Sequence, residues 1–154
     1  MIIMKAIILT CMTILVVSFF YSCNDKIETR TAYDFDISTW YMPEEIAPDE
    51  MVEIRFALSR EGNYKHSEYF VGYVQTRGKG EVYDAGGYRL ENREMYELKS
   101  LAGLNADDPL KQLFTLYYHN ESEGSTGLRF IVRDNFGLEK KLDITFQTVT
   151  AESE

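Results

Sequence analysis

Val52, Ile54, Phe56 and Leu58 alternate without a break with Glu53, Arg55, Ala57 and Ser59. Successive side chains of a strand point to opposite sides, so this run can bury an apolar face only as a β-strand, and only against a second layer. The two-residue rhythm returns along the chain. Tyr33, Phe35 and Ile37 share one face, opposite Asp34, Asp36 and Ser38. Leu128, Phe130 and Val132 alternate with Arg129, Ile131 and Arg133, and Leu142, Ile144 and Phe146 with Asp143, Thr145 and Gln147. Glu68–Thr76 (EYFVGYVQT) is apolar on both faces and reads as a central strand, and Leu113–His119 (LFTLYYH) as another.

Between these runs stand residues that stop strands. Pro43 and Pro48 cannot donate to a ladder. Arg60–Ser67 and Asn120–Thr126 are polar connections. Gly78 and Gly80 turn the chain after the central strand, and Asp84-Ala85-Gly86-Gly87 joins Glu81-Val82-Tyr83 to Tyr88-Arg89-Leu90 as a hairpin. Met95–Leu98 suggests one more short strand, and the irregular stretch Leu101–Pro109 has room for a short helical turn. No segment of any length repeats at helical period. About seven or eight short strands spaced by turns predict an all-β fold, an immunoglobulin-like antiparallel sandwich. The Cys…Trp…Cys spacing of antibody domains is missing, so the expectation concerns architecture alone.

The first 22 residues break this pattern. Lys5 is their only charge, and Ala6–Ser22 (AIILTCMTILVVSFFYS) is apolar or small throughout. A basic start, an apolar run and a small residue before a cleavage point describe an export signal. Ser22 directly precedes Cys23, as in the lipobox of bacterial lipoproteins, where cleavage leaves an acylated cysteine at the new N-terminus. The residues before it, Phe20 and Tyr21, are bulkier than usual, and the pattern resembles the relaxed lipoboxes of the Bacteroidetes. A plain signal peptide or a retained anchor is the competing reading, because 17 apolar residues reach the low edge of a membrane span. Cys11 lies mid-run and is a poor cleavage site. The expected organisation is a lipoprotein signal peptide over 1–22, a polar tether over 23–32, the sandwich over 33–148 and a flexible tail over 149–154. Asn24 rather than Asp after the lipidated cysteine tilts the location towards the outer membrane.

Charge narrows the partners. The 16 basic and 25 acidic residues give a net charge of −9, and removal of Lys5 with the leader makes it −10. Such a domain repels nucleic-acid phosphates and anionic membrane surfaces, so the lipid must do the anchoring. If Cys23 is acylated, the exported part holds no free thiol and no disulfide. A core of this size manages without one.

Catalytic and ligating patterns are weak. His119 ends a strand near Glu121 and Glu123, which invites a metal or proton-relay reading, but a solvated loop edge is the favoured account. Nothing at metal-ligand spacing from His66 stands out. Asp107-Asp108 lacks the repeated oxygen spacing of a calcium loop and reads as a turn before Pro109. In Asp134-Asn135-Phe136-Gly137 the acid and amide would bond the turn backbone, with Gly137 at positive φ. Gly78 and Gly80 open no helix and so form no phosphate cradle, and no serine sits in a nucleophile elbow. The expectation is no catalytic residue, no metal, no cofactor and a monomeric binding domain. Aromatics are the surplus: 11 Tyr, 9 Phe and one Trp in the chain. Trp40, at the end of the first strand beside Tyr41 and Pro43, is the best candidate for a partner-contact residue.

Four pieces of sequence taken together resemble the TraQ-type proteins of Bacteroides conjugative transposons. They are the start ending at Cys23, the run Val52-Glu53-Ile54-Arg55-Phe56 on through Leu58, Arg60, Glu61 and Gly62, the pair Gly78 and Gly80 after the Tyr69–Gln75 strand, and Leu116-Tyr117-Tyr118 followed by Val132-Arg133-Asp134-Asn135-Phe136-Gly137. The resemblance implies an envelope protein encoded among transfer genes, with an immunoglobulin-like fold and no catalytic residues. Other proteins of the transfer apparatus would be its partners. The alternative is a lipid-anchored module that binds a glycan or a host protein.

Overall fold

A computed structural model describes residues 33–149. The expected signal peptide, the tether with Cys23 and residues 150–154 lie outside them. Ten strands follow in chain order: β1 (Phe35–Trp40), β2 (Glu45–Ile46), β3 (Met51–Arg60), β4 (Tyr69–Arg77), β5 (Gly80–Asp84), β6 (Arg89–Leu90), β7 (Met95–Glu97), β8 (Lys111–Asn120), β9 (Thr126–Asp134) and β10 (Glu139–Thr148). They form two five-stranded sheets, ordered β1-β3-β8-β5-β6 and β2-β10-β9-β4-β7. Every pairing between these strands is antiparallel except that of β2 with β10. The sandwich is the one expected: β1, β3, β9 and β10 are the strands that alternation marks, and β4, β5 and β8 lie in segments read as strands without it.

The expected helical turn is displaced. It is a single 3-10 turn at Leu98–Ser100, immediately before the stretch assigned to it. Leu98 and Leu101 are both buried, and Leu101 N–H donates to Leu98 O at 3.3 Å, so the turn forms where it can sink both leucines. Residues beyond it serve another need. β5 leaves β8 after Asp84↔Leu116, which strands the backbone groups of early β8. Asn105 supplies them, giving and receiving bonds with Leu113 at 2.7 and 2.8 Å. A sheet interior completes its ladder wherever chain is at hand.

The alternating residues meet between the sheets. Val52, Ile54, Phe56 and Leu58 of β3 are all buried, as are Leu128, Phe130 and Val132 of β9. Phe56 stacks on Phe114 with ring centroids 4.8 Å apart and meets Phe130 edge-on at 4.8 Å, joining the two sheets. Such pairs add to plain area burial.

Two hairpin turns share one device. Asp84 and Asp134 are buried acids at 5% and 3% exposure. Asp84 Oδ1 accepts the N–H groups of Gly86 and Tyr88 at 2.9 and 2.8 Å, and Asp134 Oδ1 those of Phe136 and Leu138 at 2.9 and 2.8 Å. Gly87 and Gly137 follow each acid by three residues, at φ +83° and +92°. The turn reading of Asp134–Gly137 therefore holds, and Asp84–Gly87 repeats it.

A polar knot closes the other end. Tyr118 is fully buried, and its hydroxyl lies 3.0 Å from Lys79 O, to which it donates, and 2.7 Å from Thr126 Oγ1. A Cβ on Gly80 would collide with the Tyr118 ring and with His119 O, so glycine there lets the ring reach the turn.

Candidate interaction surface

In a paired sheet, residues directly opposite one another project to the same side. Phe56, Ile54 and Val52 face the core, so their β3 neighbours Arg55 and Glu53 face out. Register then carries the outer face across the sheet. Trp40 on β1 pairs with Arg55, and Arg55 with Thr115 on β8. Glu53 pairs with Tyr117, Tyr117 with Tyr83 on β5, and Tyr83 with Arg89 on β6. A third row joins Met51, His119 and Glu81. Trp40, Tyr117, Tyr83 and His119 are each half-buried. They form an aromatic surface on the outside of one sheet.

Charged groups lace this face together. Arg55 binds Glu53 at 2.8 Å, and Arg89 binds Glu81 at 2.7 Å and Glu91 at 2.8 Å. The Tyr83 hydroxyl donates to Glu81. That bond and the Arg89 guanidinium hold the Glu81 carboxyl below the usual range. The same bond raises the Tyr83 hydroxyl, and Glu91 with Glu81 raise Arg89. These pairs fix the orientation of the aromatics. Exposed as they are, they contribute little stability.

The residues singled out in the sequence fall in different places. Trp40 lies at the end of β1 on this outer face. His119 meets Glu81 and Glu121 rather than Glu123, with one ligand atom from each within 4.8 Å of the others. The array has the residue types of a divalent-cation site. Its groups are engaged otherwise: Glu81 with Arg89 and Tyr83, and His119 Nε2 with Asp49 Oδ1 at 2.9 Å. Asp108 caps the turn before β8, receiving Leu110 N–H at 2.8 Å, and Asp107 N–H donates to Asn105 Oδ1 at 3.0 Å. His66 is exposed, with its ring 5.6 Å from Tyr64. Cys23 lies outside the described residues. Tyr117 and Tyr83 escaped the sequence reading, because only cross-strand register brings them beside each other.

Known proteins share this architecture. The model of the family described as TraQ conjugal transfer protein matches residues 5–149. No curated protein matches the sequence. Among solved structures, a crystal structure of a conjugative transposon lipoprotein from Bacteroides eggerthii is 25% identical, with a TM-score of 0.61, covering 75% of this chain and 98% of that one. A solution structure of a lipoprotein from Bacteroides thetaiotaomicron is 25% identical at a TM-score of 0.60, covering 84% and 92%. A conjugate transposon protein from Bacteroides vulgatus, also solved in solution, is 26% identical at 0.60, covering 84% and 97%.

Proposed function

The chain belongs to the TraQ conjugal transfer protein family, and from that premise we propose that it acts as a lipid-anchored, non-enzymatic envelope component that contacts other transfer proteins. The match of the family model over residues 5–149 carries this reading, because it spans nearly the whole chain and ties it to conjugal transfer. Anchoring is supported by Ser22-Cys23 at the end of the apolar run and by two similar structures that are described as lipoproteins. The anchor is assigned to the outer membrane on the strength of Asn24, and the domain to a monomer. Contact is supported by the outer face, where Trp40, Tyr117 and Tyr83 offer rigid amphipathic rings of the kind that dominate binding hot spots.

The test is deletion of the gene from its element, with complementation by the natural chain and by Cys23→Ala and Trp40→Ala. Deletion lowers transfer frequency and the natural chain restores it. Cys23→Ala loses a fatty-acid label and membrane partitioning, and Trp40→Ala keeps both but fails to restore transfer. Crosslinking in donor cells captures transfer proteins. Unchanged transfer after deletion, with only glycan-handling proteins captured, replaces this reading with that of a glycan-binding module.

A further inference from the structure

The end of the sandwich at which the tether enters carries an aromatic cluster that the outer face does not include. Tyr64 in the β3–β4 loop is its centre. Its ring lies 5.9 Å from Tyr33, 5.6 Å from His66 and 5.6 Å from Phe136. Tyr64 and Phe136 are 37% and 40% exposed. Large side chains left in water at this level need a reason when they stand together.

The cluster is built rather than incidental. Asn135 clamps the two loops that carry it: its Oδ1 accepts Glu68 N–H at 2.9 Å, its Nδ2 donates to His66 O at 3.0 Å, and its N–H donates to Glu68 O at 2.9 Å. The buried Asp134 carboxylate holds Phe136 N–H from below. Tyr33 lies against Gly62, where a Cβ would meet its ring at 2.8 Å. The chain that leads to Cys23 thus departs from within the cluster.

We infer that this tether-end cluster rests in the interfacial layer of the bilayer that carries the anchor. The inference depends on the anchoring reading at Cys23. Nine residues, 24–32, separate that cysteine from Tyr33, and ten residue steps span at most about 35 Å. Among the described residues, Tyr33 is the first in the chain after the anchor. Tyrosine, histidine and phenylalanine together suit a layer that is apolar on one side and wet on the other. Charge agrees with this orientation. The cluster loops hold Glu61, Lys65 and Glu68, and Glu68 pairs with Lys99 at 3.2 Å while Asp34 beside Tyr33 pairs with Lys140 at 3.0 Å. The opposite end sets Glu44, Glu45, Asp49, Glu50, Glu121 and Glu123 against Arg77 and Lys79. An anionic lipid surface repels that end and tolerates the near-neutral one.

Two tryptophan reporters read the orientation. Trp40 is the chain's own, five residues along β1 from Phe35 and so about 17 Å from the tether end. Phe136→Trp in a Trp40→Phe background places the second within the cluster. Each full-length acylated protein is reconstituted in vesicles of phosphatidylethanolamine and phosphatidylglycerol whose acyl chains are brominated. Acylation and partitioning are measured separately by fatty-acid label and flotation. The expected result is quenching at position 136 about twofold or more above that at Trp40, reduced when Tyr64→Ser is added. With label and flotation intact, equal or greater quenching at Trp40 overturns the docking and leaves the anchor standing. Absence of label and flotation overturns both.

Discussion

Asp84 and Asp134 hold matching turns, and the difference between them sets a test. Each carboxylate uses Oδ1 for two backbone N–H groups, but Asp84 also uses Oδ2, which accepts Ala102 N–H at 2.9 Å and ties the hairpin to the segment after the 3-10 turn. A hydrogen bond to a charged group contributes about 1.5–3 kcal/mol, and bonds sharing one carboxylate do not add fully. Asp84→Ala strips three donors of their partner, so the expected loss is about 3–5 kcal/mol, against about 2–3 kcal/mol for Asp134→Ala. Asparagine separates the two sites more sharply. At Asp134 the amide keeps its oxygen towards Phe136 and Leu138, and the cost is under about 1 kcal/mol. At Asp84 the same choice turns an NH₂ towards Ala102 N–H, donor against donor, and costs about 1–3 kcal/mol. Urea denaturation of the four variants, with m-values compared to confirm that one transition is being read, supplies the numbers. If Asp84→Asn is tolerated as well as Asp134→Asn, the Ala102 contact carries no stability and the reasoning fails.

Other consequences of the packing are as direct. Gly80→Ala drives a methyl into the Tyr118 ring and against His119 O and is expected to cost about 1–3 kcal/mol, only partly relieved when Tyr118→Leu is added, because the backbone contact stays. Phe56→Ala empties the space between Phe114 and Phe130 and is expected to cost about 3–5 kcal/mol, read by the same denaturation. Arg129 lowers the Asp143 carboxyl, and Arg133 with Lys141 lowers that of Glu139. Folded-state values below the unfolded ones mean stability that is present above about pH 4 and lost as the pH falls through the lowered values. Thermal melts at descending pH should therefore show a decline that Arg129→Gln with Arg133→Gln makes shallower.

What could be read from the sequence depended on the range of the interaction. Val52–Leu58 announced a strand because every second residue is apolar, and no distant partner is needed to see it. Asp134–Gly137 was equally local, since the acid bonds N–H groups two and four residues on. Leu113–His119 was harder. Its apolar residues lie on both faces, so nothing local says that Tyr118 enters the core and Tyr117 leaves it; pairing with Val52 and Glu53 decides that. His119, in β8, and Glu121, just past its last residue, stood out as neighbours because they are two apart. Glu81 joins them only because β5 lies beside β8, and Glu123 drops away because β8 ends at Asn120. The helical turn moved for the same reason: burial of Leu98 and the unmet ladder of early β8 are tertiary demands on a stretch whose own preferences are weak.

The two aromatic sets differ in what they can reach, and this separates their tasks. The outer face of β1-β3-β8-β5-β6 runs along the strands, and Trp40 lies near the acidic end, beyond Arg55 in the register. The Tyr64 cluster lies at the tether end. A domain standing on that cluster would lift Trp40 about 17 Å further from the lipid and turn its most acidic loops towards whatever approaches the domain from beyond the membrane surface. A partner would then meet negative charge first and aromatic surface second. Charge governs encounter rates and salt sensitivity, while buried rings govern how long a complex lasts. On this arrangement, neutralising Glu44 and Glu45 slows capture of the partner and weakens its salt dependence, whereas Trp40→Ala speeds its release. A single assay of association and dissociation on supported bilayers resolves the two effects. If both substitutions altered the same rate, charge and aromatic surface would belong to one contact, and the division of labour along the strands would be wrong.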